Sequence, residues 1–352
     1  MTRRKVKKNK NESQVKGEKG ISRLKETLSI IGILIGIFLL YRTIVLINFN
    51  TDNSAVSEGI LSKNSSLINT LFVFEKEDKI TGMKIIIYSQ NQQEILEIDI
   101  PTQIYVTEDS ADSFPVSSIK SVGEFLEYGS SKEYTVEYMG DLLGLKFDNY
   151  VWLADSSENT DEFFSKLSVW SILFDFGYSR ELKDNLYSNL PILNLIKETN
   201  FINQMFINYQ STQMDILDCC IEQVIVSSEH TETRFDISSF DDEFSKYIDD
   251  LVSGKVEKER VNVEVYNASN ISGLASKYAR KIRHTGCRIL RYDNASSMYE
   301  NSVIYIPEPE EYTGSLDLVR DVVGEDIEVR YERPSFITTG DIVLVLGTDL
   351  AE

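Results

Sequence analysis

The stretch Val261–Ile289 reads VNVEVYNASNISGLASKYARKIRHTGCRI and contains two periodicities in succession. In Val261–Tyr266, valines alternate with other residues, which predicts a β-strand. Leu274, Tyr278 and Ile282 recur every four residues and predict a helix, Leu274–Arg283, with one apolar stripe that packs on a sheet. A strand followed directly by such a helix indicates an α/β domain.

The residues between and after these two elements have structural explanations. Asn267 is expected to adopt a left-handed backbone conformation and to hydrogen-bond the loop locally. Ser272, ahead of Gly273, is placed to cap the helix, a contribution of about 1 kcal/mol. Gly286 is expected to end the helix as a left-handed C-cap. None of these residues supplies a nucleophile, and no catalytic residue is predicted.

The same alternation of strands and helices continues to the end of the chain. We predict that 261–350 form a small C-terminal α/β sandwich. Its further elements are strands at Cys287–Tyr292, Val303–Ile306, Ile327–Tyr331 and Ile342–Leu346, and a helix at Ser315–Val323.

Upstream, residues 69–215 predict a second, mixed α/β domain. Three short apolar runs favour a β-meander closed by Pro101, and Pro191 is expected to divide a long helical region. The predicted elements are strands at Thr70–Glu75, Met83–Tyr88, Ile95–Ile100 and Tyr150–Leu153, helices at Ser117–Glu127 and Lys132–Leu143, and helical segments over Thr160–Tyr209. Residues 216–260 predict a connecting region. Within it, Asp241–Glu243, Asp249–Asp250 and Ser253–Arg260 form a polar passage without helical apolar periodicity.

The N-terminal part predicts a membrane anchor. Residues 1–25 contain ten Lys/Arg and two Glu, and Arg42 is the only charged residue in the largely apolar stretch Leu28–Phe49. As a helix, 28–49 would span about 33 Å, enough for a hydrocarbon core of about 30 Å. The cationic arm, 1–27, then places the N-terminus in the cytoplasm and 50–352 outside, with 50–68 as a linker. Arg42 is expected to snorkel to the headgroups. A cleaved signal peptide is the alternative.

Composition excludes several classes of function. The 352-residue chain has a net charge of −20, which argues against nucleic-acid binding. Two histidines and three cysteines exclude a His-rich metal centre and a disulfide framework. Cys219 and Cys220 are adjacent, and with Cys287 they predict three buried thiols. No metal site or cofactor is predicted.

The residues Val263, Val265, Asn267, Ser272–Ala275 and Gly286 resemble the C-terminal domain found on LytR-CpsA-Psr proteins of bacterial envelopes. The closing strand Asp341–Gly347 is similar to the end of that domain. The resemblance covers about 90 residues and implies an α/β fold in an envelope protein.

The middle domain resembles a degenerate form of the LytR-CpsA-Psr catalytic domain. The family run Ser-Ile-Pro-Arg-Asp-x-Tyr-Val aligns with Asp99–Val106, but Thr102 and Gln103 replace the Arg and Asp. The family implies transfer of a glycopolymer from a lipid pyrophosphate, with arginines on the pyrophosphate and carboxylates on magnesium. Thr102 and Gln103 are neutral, and no arginine lies between Pro101 and Arg180. A pyrophosphate site would therefore lack its main ligands.

The segment Lys277–Arg291 is basic within an acidic chain. Lys277, Arg280, Lys281 and His284 share a helix surface. This surface is either a solvated helix face or, with Arg283, a docking surface for anionic wall polymer or for the acidic region of another subunit.

These features lead to one leading hypothesis and one rival. The first is a single-pass, extracytoplasmic envelope protein that is non-catalytic and binds or organises cell-wall polymer or peptidoglycan. The rival is a divergent phosphotransferase that attaches glycopolymer to peptidoglycan. Clustered cations in a deep middle-domain groove would favour the rival, and a groove filled by Tyr and Phe would exclude it.

Overall fold

The computed structural model describes residues 27–44, 67–89, 94–107, 113–155, 160–209, 211–227, 230–252 and 254–350. The basic arm 1–26 and almost all of the linker lie outside these residues. The helix α1 is described over Thr27–Ile44, and by length and composition it is long and apolar enough to cross a membrane. The last part of the predicted span, 45–49, lies outside the described residues.

The middle of the chain forms two sheets. The six-stranded sheet has the order β7-β6-β1-β2-β3-β8, and the four-stranded sheet has the order β5-β4-β10-β9. The strands are β1 (Ile68–Lys76), β2 (Lys79–Tyr88), β3 (Ile95–Ile100), β4 (Tyr105–Thr107), β5 (Ser113–Pro115), β6 (Asn149–Leu153), β7 (Leu186–Ser188), β8 (Ser211–Asp215), β9 (Ile221–Ser227) and β10 (His230–Phe235).

Helices cover both faces of the six-stranded sheet. The helices of this part of the chain are α2 (Ile119–Phe125), α3 (Ser131–Leu143), α4 (Thr160–Lys166), α5 (Val169–Phe174), α6 (Phe176–Asn185), α7 (Ile192–Asn208), α8 (Ile216–Cys219), α9 (Ile237–Leu251) and α10 (Gly254–Glu259). Because side chains alternate along a strand, Leu71 and Val73 join the core under α3, while Phe72 and Phe74 join the core under α4 and α7. The predicted meander is confirmed, since β1, β2 and β3 pair antiparallel in sequence.

The C-terminal domain is a five-stranded sheet of order β12-β11-β15-β13-β14. Its elements are β11 (Asn262–Asn267), α11 (Leu274–Arg283), β12 (Arg288–Asn294), β13 (Val303–Tyr305), α12 (Thr313–Val323), β14 (Glu328–Arg330) and β15 (Ile342–Leu346). Val263, Val265 and Leu344 face α11 and α12 in the larger core, whereas Tyr266 and Val345 lie in a smaller cluster on the other face. The predicted mixed α/β fold with a small C-terminal α/β domain is confirmed.

The prediction that the polar passage from Asp241 to Arg260 lacks helical apolar periodicity is wrong. Phe240, Phe244, Ile248 and Leu251 are all buried on one face of α9. The acidic residues that dominate the composition of this segment lie between them, on the other faces of the helix. Through these four side chains, α9 joins the core of the middle domain to that of the C-terminal domain.

Three local expectations are corrected. Ser272 does not cap α11: the N-cap is Gly273, whose φ of 78° lets the chain enter the helix without a side-chain cap. Asn267 does not have a positive φ, because it is the last residue of β11. Cys219 and Cys220 form a disulfide, and only Cys287 is a buried free thiol.

One other local expectation is confirmed, and another holds in part. The Asn267 side chain accepts hydrogen bonds from Ser269 and donates one to the carbonyl oxygen of Ile271, so it organises the loop. The C-cap of α11 is His284, not Gly286. Gly286 nevertheless has the expected left-handed backbone, with a φ of 92°, in the turn two residues after this cap, where a Cβ would lie 2.6 Å from Val252 Cγ2. Glycine is therefore required there by both conformation and space.

Candidate functional site

An open groove of about 790 Å³ lies at one end of the six-stranded sheet. It contains the run Asp99–Gln103 that aligns with the family's catalytic motif. The β3–β8 pairing places Asp99 beside Asp215, and α4 contributes Asp161. The groove is lined by Phe74, Lys76, Thr81, Gly82, Met83, Lys84, Asp99, Ile100, Pro101, Thr102, Gln103, Thr160, Asp161, Asp215 and Leu217.

One of the two lysines in the groove is neutralised by its neighbours. Lys84 Nζ lies 2.8 Å from Glu97 Oε2 and 3.3 Å from Asp99 Oδ1. Burial opposes the charge of Lys84, yet the hydrogen bond and charge of Glu97, with Asp99, raise its pKa overall. Its ammonium group therefore has two carboxylate partners already and is poorly available to a bound anion.

The groove as a whole is slightly acidic. Its lining contains three carboxylates and two lysines, and of these lysines only Lys76 is strongly exposed. Among the described residues, no arginine lines the groove. Arg180, the first arginine after Pro101, is exposed and lies 3.9 Å from Asp184 on the same helix. The electrostatics suit hydroxyl and amide groups better than a pyrophosphate.

The family resemblance implies a magnesium ion, and the carboxylates of the groove are the residues that could hold it. Among the residues that the structure describes, no three His, Cys, Asp or Glu side chains come together as metal ligands. The carboxylate of Asp215 accepts a hydrogen bond from the backbone N–H of Leu217, and Asp99 accepts one from Gln213. The neighbouring carboxylates of Asp99 and Asp215 are the residues that would hold such an ion, and both already accept hydrogen bonds within the protein.

A second, smaller cleft of about 430 Å³ lies in the C-terminal domain. It is formed by the loop after β11 and the loop after β12, and Asn267 and Ser272 of the family motif both line it. Its walls are rich in Asn and Ser. The sequence motif is thus placed at a polar cleft as well as at a structural turn.

The basic surface of α11 faces the middle domain. Arg280 Nε lies 2.8 and 2.7 Å from the two carboxylate oxygens of Asp241 on α9. Arg280 Nη1 also donates to the carbonyl oxygens of Asp141 and Leu142 at the C-terminal end of α3. The guanidinium group therefore satisfies carbonyls that a helix end leaves without partners.

Two more cations of this surface meet the same helix end. Asp141 lies 2.5 Å from Lys277 Nζ and 2.7 Å from Lys281 Nζ. Burial lowers the pKa of Lys281, although Asp141 opposes this. A solvated face is therefore the wrong description for Arg280 and Lys281.

Arg283 and Lys277 are the exposed members of the predicted polymer-binding set. Lys277 pairs with Asp141, whereas Arg283 forms no ion pair with any residue in the described ranges. Polymer binding by Lys277, Arg280, Lys281 and Arg283 stays a prediction, and Arg283 is the residue best placed for it. The sequence could not show the inward contacts, because Asp141 and Asp241 are distant in the chain.

His284 completes the contact between the domains. Its Nδ1 lies 3.0 Å from the carbonyl oxygen of Gly144, and its Nε2 lies 3.4 Å from Asp241 Oδ1. Burial would raise the pKa of Asp241, but hydrogen bonds and charge from His284 and Arg280 lower it below its usual range. Gly144 has a φ of 63°, and a Cβ there would lie 2.8 Å from Arg280 Cγ. Glycine thus ends α3 and also makes room for Arg280.

Comparisons with known proteins identify the C-terminal domain. Residues 260–350 match the family model LytR_C, described as "LytR cell envelope-related transcriptional attenuator". The chain therefore carries a LytR_C domain, as the stretch Val261–Ile289 predicted. No curated protein sequence matches the chain.

Solved structures of LytR-CpsA-Psr proteins are similar to the chain. TagT of B. subtilis is 11% identical, with 57% of this chain and 99% of that chain covered and a TM-score of 0.38. TagV of B. subtilis is 9% identical, with 53% and 98% covered and a TM-score of 0.38. A structure described as TagT bound to LIIa-WTA is 10% identical, with 57% and 98% covered and a TM-score of 0.39. Because these TM-scores are low, the description of the fold depends on the strand order given above and not on these structures.

Proposed function

We propose that the protein is a membrane-anchored, extracytoplasmic and non-catalytic envelope protein whose middle-domain groove binds a hydroxyl-rich carbohydrate chain of the cell wall. The observation that carries this proposal is the composition of the groove at Asp99–Gln103. Thr102 and Gln103 stand where the family has charged residues, and Lys84 is held by Glu97 and Asp99.

A carbohydrate fits this lining chemically. Carboxylates and the Gln103 amide accept hydrogen bonds from sugar hydroxyls, and the amide also donates. The apolar walls at Phe74, Met83 and Leu217 offer contacts for the C–H faces of sugar rings. The LytR_C domain supports an envelope setting, and the N-terminal arm and α1 support an anchor whose N-terminus is cytoplasmic.

The rival phosphotransferase is supported by one observation. The groove is open, and Phe74 is the only aromatic residue among its lining residues. Aromatic side chains therefore do not close the space in which a donor would bind. Two observations argue against the phosphotransferase: the lining of the groove is slightly acidic, and Lys84 is already paired with Glu97 and Asp99.

The binding hypothesis is tested by changing two groove residues in the full chain. Gln103→Ala with Asp161→Ala removes hydrogen-bonding groups from the groove, and each bond to a sugar contributes about 0.5–1.5 kcal/mol. We expect binding of soluble peptidoglycan glycan strands, measured by calorimetry in nanodiscs, to weaken about tenfold. Gln204→Ala, on an exposed part of α7, is the matched control and should bind as wild type does.

An anionic polyglycerol-phosphate polymer gives the contrasting measurement. Because the groove is slightly acidic, this polymer should not compete with the glycan strands for it. Competition that the double variant abolishes would contradict the proposed ligand class, as would equal glycan binding by the wild type and the double variant.

A further inference from the structure

A cluster of exposed aromatic residues lies on α5 and at the start of α6. Trp170, Phe174 and Phe176 are 71%, 50% and 56% exposed. Trp170 and Phe174 stack, with their ring centroids 5.4 Å apart. Large aromatic side chains that share an exposed patch mark a surface that meets a partner or a membrane.

This aromatic patch is continuous with the membrane helix. Phe176 contacts Phe38 of α1, with ring centroids 5.7 Å apart, and the Arg42 guanidinium lies 4.4 Å from the centroid of the Phe176 ring. Of the residues Thr27–Ile44, only Phe38 and Arg42 are not strongly exposed. The helix therefore meets the rest of the described protein at the aromatic patch.

Arg42 sets the position of α5 relative to the membrane. Its Nε donates to the carbonyl oxygen of Leu173 at 3.0 Å, and its Nη2 donates to that of Ile172. A charged side chain in an apolar span requires polar partners at its own depth, and backbone carbonyls are common ones. Arg42 is thus covered by α5, in contrast to the free snorkelling expected from sequence.

The depth of the aromatic patch follows from α1. Phe38 precedes Arg42, the one charged residue of the apolar stretch 28–49, by four residues, or about 6 Å along a helix axis. Interfacial helices bury their apolar faces about 5–10 Å into the boundary between headgroups and acyl chains. Tryptophan is also enriched at this depth. The position of Phe176 beside Phe38 is therefore that of an interfacial element.

We propose that the aromatic patch of α5 and α6 inserts into the lipid leaflet at the C-terminal end of α1. The occupant of this surface is the phospholipid interface. The insertion holds the folded domain against the membrane, and it supplies Arg42 with its carbonyl partners at membrane depth. The inference rests on α1 as a membrane span and is independent of the ligand proposed for the groove.

The two tryptophans of the chain allow a direct test. Trp152 is fully buried and donates to Glu75 at 2.6 Å, so its emission should not respond to lipid. The full chain is reconstituted in vesicles of phosphatidylethanolamine and phosphatidylglycerol, with or without phosphatidylcholine brominated on its acyl chains. We expect the brominated lipid to remove the Trp170 part of the emission and aqueous iodide to leave it.

Trp170→Phe is the matched control. Because Trp170 is exposed, this variant should keep the melting temperature of the wild type, and its emission should not respond to brominated lipid. Two results would overturn the proposal. Quenching of Trp170 by iodide but not by brominated lipid would show that the patch lies in water, and quenching by neither would show that protein covers it.

Discussion

Replacing Glu198 by glutamine is expected to stabilise the protein at about pH 8 and to remove much of its pH dependence between about pH 4.5 and 7. Glu198 is buried under the six-stranded sheet. Its Oε1 accepts hydrogen bonds from Thr70 at 2.6 Å, Tyr88 at 3.3 Å and Asn149 at 3.3 Å. Among the described residues, Oε2 has no hydrogen-bond partner.

Burial raises the pKa of Glu198 from 4.5 to about 7; the nearby Asp148 adds to the rise, and the three hydrogen bonds oppose it. The folded state therefore binds a proton more tightly than the unfolded state does. The stability linked to this proton is complete below about pH 4.5 and is lost as the pH rises through 7. A rise of this size corresponds to about 3 kcal/mol.

Glutamine keeps the shape and a carbonyl acceptor but does not ionise. Urea unfolding of Glu198→Gln at pH 5 and pH 8 should therefore give a smaller loss of stability than in the wild type. Glu181→Gln, an exposed residue on α6, controls for the change in net charge. If the stability of Glu198→Gln changed between pH 5 and pH 8 as much as that of the wild type, Glu198 would already be ionised at pH 5 in the folded protein.

Asp241→Asn is expected to destabilise the contact between the two domains strongly. The carboxylate of Asp241 forms an ion pair with Arg280 and lies beside the His284 ring, and its side chain is only 15% exposed. Removing one partner of a buried ion pair leaves the other charge uncompensated, which costs about 3–5 kcal/mol. Because Asp241 is partly exposed, we expect about 3 kcal/mol.

Asp242→Asn provides the matched control. It makes the same chemical change at the next residue of α9, where the side chain is exposed, and should alter stability by less than about 0.5 kcal/mol. Both variants are compared by urea unfolding and by hydrogen exchange of α11. If the two variants were equally stable, the ion pair between Asp241 and Arg280 would not stabilise the packing of α11 on the middle domain.

Local periodicity was sufficient for most of the secondary structure. Leu274–Arg283, Ile95–Ile100 and Ile342–Leu346 have the predicted bounds, because each has a regular apolar pattern. α9 was missed because its charged residues dominate the composition, although Phe240, Phe244 and Ile248 carry a helical spacing. The cap at Gly273 was missed because Ser272 matched the usual capping preference.

The contacts of the charged residues depend on tertiary structure. The basic character of α11 was evident, but its pairing with Asp141 and Asp241 joins residues more than 35 positions apart. The groove was located by the Asp99–Val106 resemblance, whereas the carboxylates of Asp161 and Asp215 come from other elements. The burial of Glu198 requires the packing of α7 on the sheet.

A transfer assay tests the central claim most directly. The full chain in nanodiscs is incubated with a polyprenyl-pyrophosphate glycopolymer, peptidoglycan and magnesium, and glycopolymer bound to the wall material is measured. Because Thr102 and Gln103 are neutral and Lys84 is held by Glu97 and Asp99, we expect no transfer above the protein-free rate while glycan strands still bind. Transfer that Lys76→Gln or Gln103→Ala abolishes in the folded protein would contradict the non-catalytic function.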